Sequence, residues 1–154
     1  IAAMFSANAA ARGIDLRVAL HPSLPAVLRG DAGRLRQVLV NLVGNALKFT
    51  DTGTVALNLG GTLRSDGDWD LRATVSDTGI GIAPDLLPLI FDVYTVADDP
   101  ARRGRGGTGL GLAISRRLVR AKDGDLSVES TLGQGSTFTM SVPCPIVCQG
   151  VPSV

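Results

Sequence analysis

Two periodicities alternate along the chain. Ile14, Leu16, Val18 and Leu20 are separated by polar or small residues, the two-residue repeat of a strand with one apolar face. That repeat stops at His21-Pro22, and a short extended piece at 27–29 closes at Gly30. The spacing then lengthens: Leu35, Val38, Leu39, Leu42, Val43 and Ala46 recur at helical intervals. With Asp31 standing where an N-cap belongs, they predict a helix over 31–49. Val55, Leu57 and Leu59, followed by Leu71, Ala73 and Val75, predict a hairpin, with turn chemistry at Gly60-Gly61 and at 65–68. Residues 84–91 read as a short helix opened by Pro84. Residues 92–109 have no period and are expected to form a mobile loop. Leu110, Ala113, Ile114, Leu118 and Ala121 predict a second long helix ended by Gly124. Leu126 and Val128, then Phe138, Met140 and Val142, predict a last pair of strands about Gly133-Gln134-Gly135.

Because every strand alternates, each has one apolar face, which excludes a doubly wound sheet buried on both sides. The expected fold class is α/β, a two-layer sandwich in which a mixed, mostly antiparallel sheet carries its helices on one face. Residues 1–143 form one domain in this reading, and 144–154, rich in proline, a C-terminal linker or tail. Residues 1–11 are apolar without a basic region, so they read as part of a longer protein rather than as a signal peptide.

Composition narrows the choices. The 154 residues suit a single domain with a real core. Fifteen Lys and Arg against fourteen Asp and Glu give +1, and aromatics make up only 4%, which speaks against nucleic acid. Uninterrupted apolar stretches are far short of the roughly 18 residues of a membrane span, so no direct membrane contact is expected. Cys144 and Cys148 read as ordinary thiols of a reducing compartment. His21, in a strand-to-loop turn before Pro22, reads as incidental. Glu129 is the single glutamate, on a late strand.

Three places could carry chemistry. On the 31–49 helix, Arg34, Gln37, Asn41, Asn45 and Lys48 form a polar stripe as regular as the apolar one. It is either a solvated face or a set of directed amide oxygens of the kind that ligate hard cations. Asp77-Thr78-Gly79-Ile80-Gly81 follows a strand end: a tight turn, or a carboxylate acceptor beside glycines that let a ligand approach the backbone. Gly104 to Gly111 runs glycine-rich into a helix, where successive N–H groups can cradle phosphate. Gly104, Gly106 and Gly109 match G-x-G-x-x-G, but no strand precedes them, and no P-loop motif is present.

In combination and in this order, these sites resemble the catalytic and ATP-binding domain of bacterial sensor histidine kinases, of the gyrase/histidine-kinase ATPase superfamily. DAGRLRQVLVNLVGNALKFT is similar to the N box, and DTGIGI to the first glycine box. IFDVYTVAD is similar to the F box, GGTGLGLAISRRLV to the second glycine box, and GQGSTFTMSVP to the closing hairpin. The likeness spans about residues 1–143 and is greatest to kinases of the hybrid type. It implies the Bergerat ATP-binding fold, with ATP and Mg²⁺ as cofactors. Asn45 would give its side-chain oxygen to Mg²⁺, Lys48 would approach the phosphates, and Asp77 would accept the adenine amino proton. Gly79 and Gly81 would make room for the purine. Residues 92–109 would be the ATP lid, and the backbone of Gly107, Thr108, Gly109, Leu110 and Gly111 would hold the triphosphate. Asn41 stands where hydrolysing members of the superfamily commonly carry a glutamate base, and an amide cannot take a proton from water. The resemblance therefore implies phosphoryl transfer rather than hydrolysis.

Tyr94, Val96 and Lys122-Asp123-Gly124 depart from the usual pattern. The implied partners are the protein's own dimerisation and phosphoacceptor domain, absent from these residues, and a downstream response regulator or receiver domain. The full-length protein is expected to be a homodimer. This domain is expected in the cytoplasm, with any inner-membrane anchor outside these residues. A regulatory ATP-binding module and a gyrase- or chaperone-like ATPase are the competing functions, the second opposed by Asn41.

Overall fold

The two-residue repeats become the strands β1 (Ile14–Leu20), β2 (Gly53–Leu63), β3 (Trp69–Asp77), β4 (Asp125–Thr131) and β5 (Gly135–Cys144). The computed structural model describes residues 1–93 and 104–147. The strands form one sheet in the order β1-β2-β3-β5-β4. Only β1 and β2 run parallel; the other neighbours are antiparallel. Register sets the alternation to work across the whole sheet. Leu57 lies opposite Val75, Val75 opposite Phe138, and Phe138 opposite Val128, all on one face. One residue along, Asn58, Thr74, Thr139 and Ser127 align on the other face. The apolar face is covered by α1 (Ala2–Ala11), α2 (Ala32–Lys48) and α3 (Gly111–Arg120), which share one buried cluster with it.

α2 forms for the reasons its sequence gives. The Asp31 carboxylate accepts from the Arg34 N–H and satisfies one of the free donors of the first turn. Val38, Leu39, Leu42, Val43, Ala46 and Leu47 are buried on one stripe against the sheet.

Several expectations are corrected. Gly60 and Gly61 do not turn the chain but lie inside β2, and the turn falls at 64–68, closed by the Arg64 N–H on the Asp68 carbonyl. Gly61 makes room for Trp69, whose indole nitrogen a Cβ there would crowd, and the indole N–H donates to the Gly60 carbonyl at 3.4 Å. The helix expected over 84–91 is only a single 3₁₀ turn, Leu87–Leu89. Pro88 lacks the N–H that a continuing helix would use and crowds the preceding turn. Gly124 is not the left-handed residue that ends α3. Asp123 is, at φ 58°, a conformation that Asp adopts more readily than most residues. Its N–H donates to the Arg120 carbonyl, and the Gly124 N–H to that of Val119, the bond pattern of a Schellman stop. α1 was not anticipated. Ile146, in the expected tail, bridges to Leu28, and β5 runs on through Cys144, which is buried. Of the expected loop 92–109, residues 94–103, with Tyr94 and Val96, lie outside the described residues, as does Cys148.

Candidate functional site

The site is built on the C-terminal half of α2. Asn41, Asn45 and Lys48 sit one turn apart on the side of the helix that faces α3 and the glycine-rich segment. A helix end leaves its last carbonyls without internal donors, and here each is met. Phe49 N–H donates to the Asn45 carbonyl, and the buried Thr50 hydroxyl to that of Ala46 at 2.7 Å. The Arg12 guanidinium, from the end of α1, donates to Leu47 O at 2.6 Å and Thr50 O at 3.0 Å. Arg105 donates to Lys48 O at 3.1 Å, and Ile80 N–H to Phe49 O at 3.2 Å.

Between α2 and the segment leading into α3 lies a cleft of ≈ 180 Å³. Asn41, Asn45 and Lys48 line one wall; Gly106, Gly107, Thr108, Gly109 and Gly111 line the other, with Phe49, Ile90 and Leu112. α3 begins at Gly111 with no side chain capping its first turn, so its leading amides point toward the cleft end with the positive pole of the helix. Asn41 is fixed by donating from Nδ2 to the Ser115 hydroxyl at 2.9 Å, and Ser115 is buried. A Cβ at Gly111 would overlap that same Asn41 amide, so a larger residue there would displace it from its place beside Ser115.

The cleft continues into a narrower recess of ≈ 20 Å³ that reaches Asp77, room for about one water. Asn45, Phe49 and Leu112 are shared by the two. Gly81, Ile82, Ser136 and Phe138 complete the recess. Asp77 ends β3, and its Oδ1 accepts from the Gly79 N–H at 2.8 Å, which orients the carboxylate. The loop after it is tied to the β4–β5 hairpin. Ser130 Oγ accepts from Ile82 N–H at 2.8 Å and donates to Gly135 O at 2.8 Å, and Gly133 N–H donates to Ile80 O at 2.8 Å. Gly79 and Gly81 are required by this packing: a Cβ would run into the Phe49 carbonyl at the first and the Thr131 carbonyl at the second. Gly79 and Leu110 line neither recess; Leu110 N-caps α3.

Charge concentrates at the mouth. The Lys48 ammonium donates to the Gly106 carbonyl and lies 5.0 Å from the Phe49 ring centroid. Arg105 holds Asp51 through two bonds of 2.9 Å. These bonds hold the Asp51 carboxyl below its usual range, the hydrogen bonds from Arg105 being the main cause. The Arg116 guanidinium, one turn along α3 from Leu112, lies 4.5 Å from the Phe91 ring centroid.

Sequence reasoning thus named both walls of the cleft and Asp77, but missed the apolar lining of Phe49, Ile82, Leu112 and Phe138 and the partnerships of Arg12, Ser115 and Ser130. The apolar residues carry the same periodicity as core residues and give no separate signal. The others act across the fold rather than along the sequence.

Residues 30–146 match the family model described as histidine kinase-, DNA gyrase B-, and HSP90-like ATPase. The chain is 44% identical over 129 residues to hybrid signal transduction histidine kinase L of Dictyostelium discoideum, covering 83% of this chain and 8% of that protein. It is 44% identical over 124 residues to sensor histidine kinase RcsC of Escherichia coli, covering 80% of this chain and 12% of that one. The chain therefore spans about a tenth of the length of these curated relatives. Among solved structures, full-length ShkA, crystallised in complex with AMPPNP, superposes with a TM-score of 0.82 at 38% identity, covering 96% of this chain and 29% of ShkA.

Proposed function

The chain belongs to the histidine kinase-, DNA gyrase B- and HSP90-like ATPase family, and on that premise we propose that it is the ATP-binding catalytic domain of a sensor histidine kinase, donating the γ-phosphoryl group of ATP to a histidine on a separate domain. The observation that carries this reading is the cleft itself. It faces two amides and an ammonium on α2 with a run of glycines that opens into a helix whose first turn has no side-chain cap. That is a place for a triphosphate, met by backbone N–H groups on one side and Lys48 on the other. Asp77, at the inner end, suits the exocyclic amino group of adenine, and Phe49, Ile82, Leu112 and Phe138 suit its faces. With ≈ 20 Å³ there, the walls must part before a purine can sit.

Among the described residues no group of three or more His, Cys, Asp or Glu could hold a metal ion. The neutral oxygen of Asn45 together with nucleotide phosphates fits Mg²⁺, which takes few protein ligands and keeps to phosphate oxygens. Bound there, the ion would neutralise phosphate charge. Asn41 completes the kinase reading: its amide is committed to Ser115 and has no basic lone pair for a water proton. The domain positions and charge-stabilises a phosphoryl group without activating water, as transfer to a protein acceptor requires. The acceptor domain, a receiver domain and a homodimeric full-length protein belong to the same proposal. No helix among the described residues is long and apolar enough to cross a membrane.

The test is calorimetry with Asp77→Asn. Replacing a charged acceptor by an amide should lose roughly 1.5–3 kcal/mol, about 10- to 150-fold in ATP affinity. Unchanged affinity would remove Asp77 from the site. With the acceptor domain supplied, label from ATP should appear on its histidine and vanish in Asn45→Ala. Label on His21 in the domain alone would overturn the assignment.

A further inference from the structure

The Lys48 ammonium that the ATP reading assigns to phosphate holds the Gly106 carbonyl instead. A carbonyl oxygen thus faces the cation from the very wall that must offer N–H groups to an anion. The peptide joining Gly106 to Gly107 can reverse this without moving its neighbours. Both residues lie at positive φ, +72° and +115°, where glycine is at ease and other residues are strained. Rotating that peptide plane by half a turn exchanges its C=O with the Gly107 N–H. It leaves φ of Gly106 unchanged and carries Gly107 from +115° to about −65°, a value open to every residue. The segment on either side is anchored. Arg105 is clamped by its two bonds to Asp51 and one to Lys48 O. Beyond Gly107, the chain enters α3 at Gly111, which packs directly against the Asn41 amide of α2.

We propose that the Gly106–Gly107 peptide is a two-state switch of the nucleotide site, with its carbonyl on Lys48 in the nucleotide-free protein and its N–H on a phosphate when a nucleoside triphosphate arrives. The Arg105–Asp51 pair is the fixed post against which it turns. The free protein thereby shields Lys48 with a neutral dipole, and a phosphate gains both the ammonium and an amide in one rotation. The inference rests on the ATP reading and adds to it the element that moves.

Chirality supplies the test. In Gly107→Ala an L side chain is strained at +115° and relaxed at about −65°. In the conformation seen here its Cβ would also overlap the Lys48 ammonium. Both effects act against the empty state, so the variant should bind ATP at least as tightly as the wild type, by up to about tenfold, because the binding-competent state is populated in advance. A glycine needed at positive φ in both states would give the opposite result, and ATP binding weakened more than about threefold in a folded Gly107→Ala protein overturns the switch. The wild type gives an independent readout by amide-resolved NMR. The Gly107 N–H should shift downfield and exchange more slowly when ATP is added, and a Gly107 amide indifferent to ATP overturns the proposal as well. Failure of the wild type to bind ATP at all would instead refute the proposed function, so the two outcomes are told apart.

Discussion

Replacing Gly79 by alanine separates two explanations of the same residue. If glycine is there to admit the purine, Gly79→Ala should harm nucleotide binding and leave the free protein as stable as before. The structure gives a different reason. An added Cβ would overlap the Phe49 carbonyl oxygen and lie 2.9 Å from Thr50 Oγ1. Neither neighbour can yield cheaply: Phe49 O accepts from Ile80 N–H, and the Thr50 hydroxyl, fully buried, donates to Ala46 O. Gly79 is not among the positive-φ glycines, so alanine meets a steric penalty rather than a conformational one. Overpacking of this kind costs roughly 1–3 kcal/mol, offset in part by about 0.4–1 kcal/mol from the stiffer unfolded chain. At about 2–4 °C per kcal/mol for a chain this long, the melting temperature should fall by several degrees with no nucleotide present. Thermal unfolding followed by circular dichroism, without and with ATP, measures both quantities. A melting temperature within about a degree of wild type, joined to lost ATP binding, would refute the packing argument and restore the purine one.

Two other outcomes follow from the charged contacts. Arg12→Ala should lower stability by about 1–2 kcal/mol through the lost carbonyl contacts at the end of α2, seen as a urea midpoint about 0.5–1 M lower; an unchanged midpoint would mean that water replaces the guanidinium fully. The Asp51 carboxyl sits below its ordinary value because of Arg105, so its contribution is present above pH 3.8 and is lost as the pH falls through the lowered folded value. Hydrogen exchange at 104–107, corrected for intrinsic rates, should therefore quicken in acid, whereas Asp51→Asn should show the quick exchange already at neutral pH. Equal protection in variant and wild type at pH 7 would show that the pair does not hold the segment.

Legibility in the sequence tracked the range of the interactions. α2 could be read in full, cap included, because its apolar stripe, its polar stripe and Asp31 all act within a turn or two. Although on the edge strand β1 only Ile14 is buried and Val18 and Leu20 are exposed, the strands were readable because their apolar residues alternate, and that same alternation ruled out a sheet covered on both sides. α1 was not, since its alanines are apolar all round and only Ala9 is buried, which leaves no period to detect. Gly60-Gly61 was misread as a turn because two glycines signal one by themselves. What places them in a strand is their pairing with Arg72 and Leu71 on the neighbouring strand, together with the Trp69 indole on the Gly60 carbonyl. Asn41, Asn45 and Lys48 were legible as a stripe, but their surroundings were not. The bonds from Arg12 to Leu47 O and Thr50 O and from Arg105 to Asp51 span 35, 38 and 54 residues and leave no local trace.

The way the last turn of α2 is finished bears on the order in which the domain matures during folding. An ordinary helix end frays or is sealed by its immediate successors. Here Phe49 and Thr50 meet only the Asn45 and Ala46 carbonyls. Those of Leu47, Lys48 and Phe49 wait for Arg12, Arg105 and Ile80, so completing the end requires chain loops that form slowly and late. A newly made chain can have its sheet and most of α2 in place while Asn45 and Lys48 are still loosely held. Competence to bind nucleotide would then lag behind the gain of secondary structure, and ATP would select among compact forms for the one in which every segment has arrived.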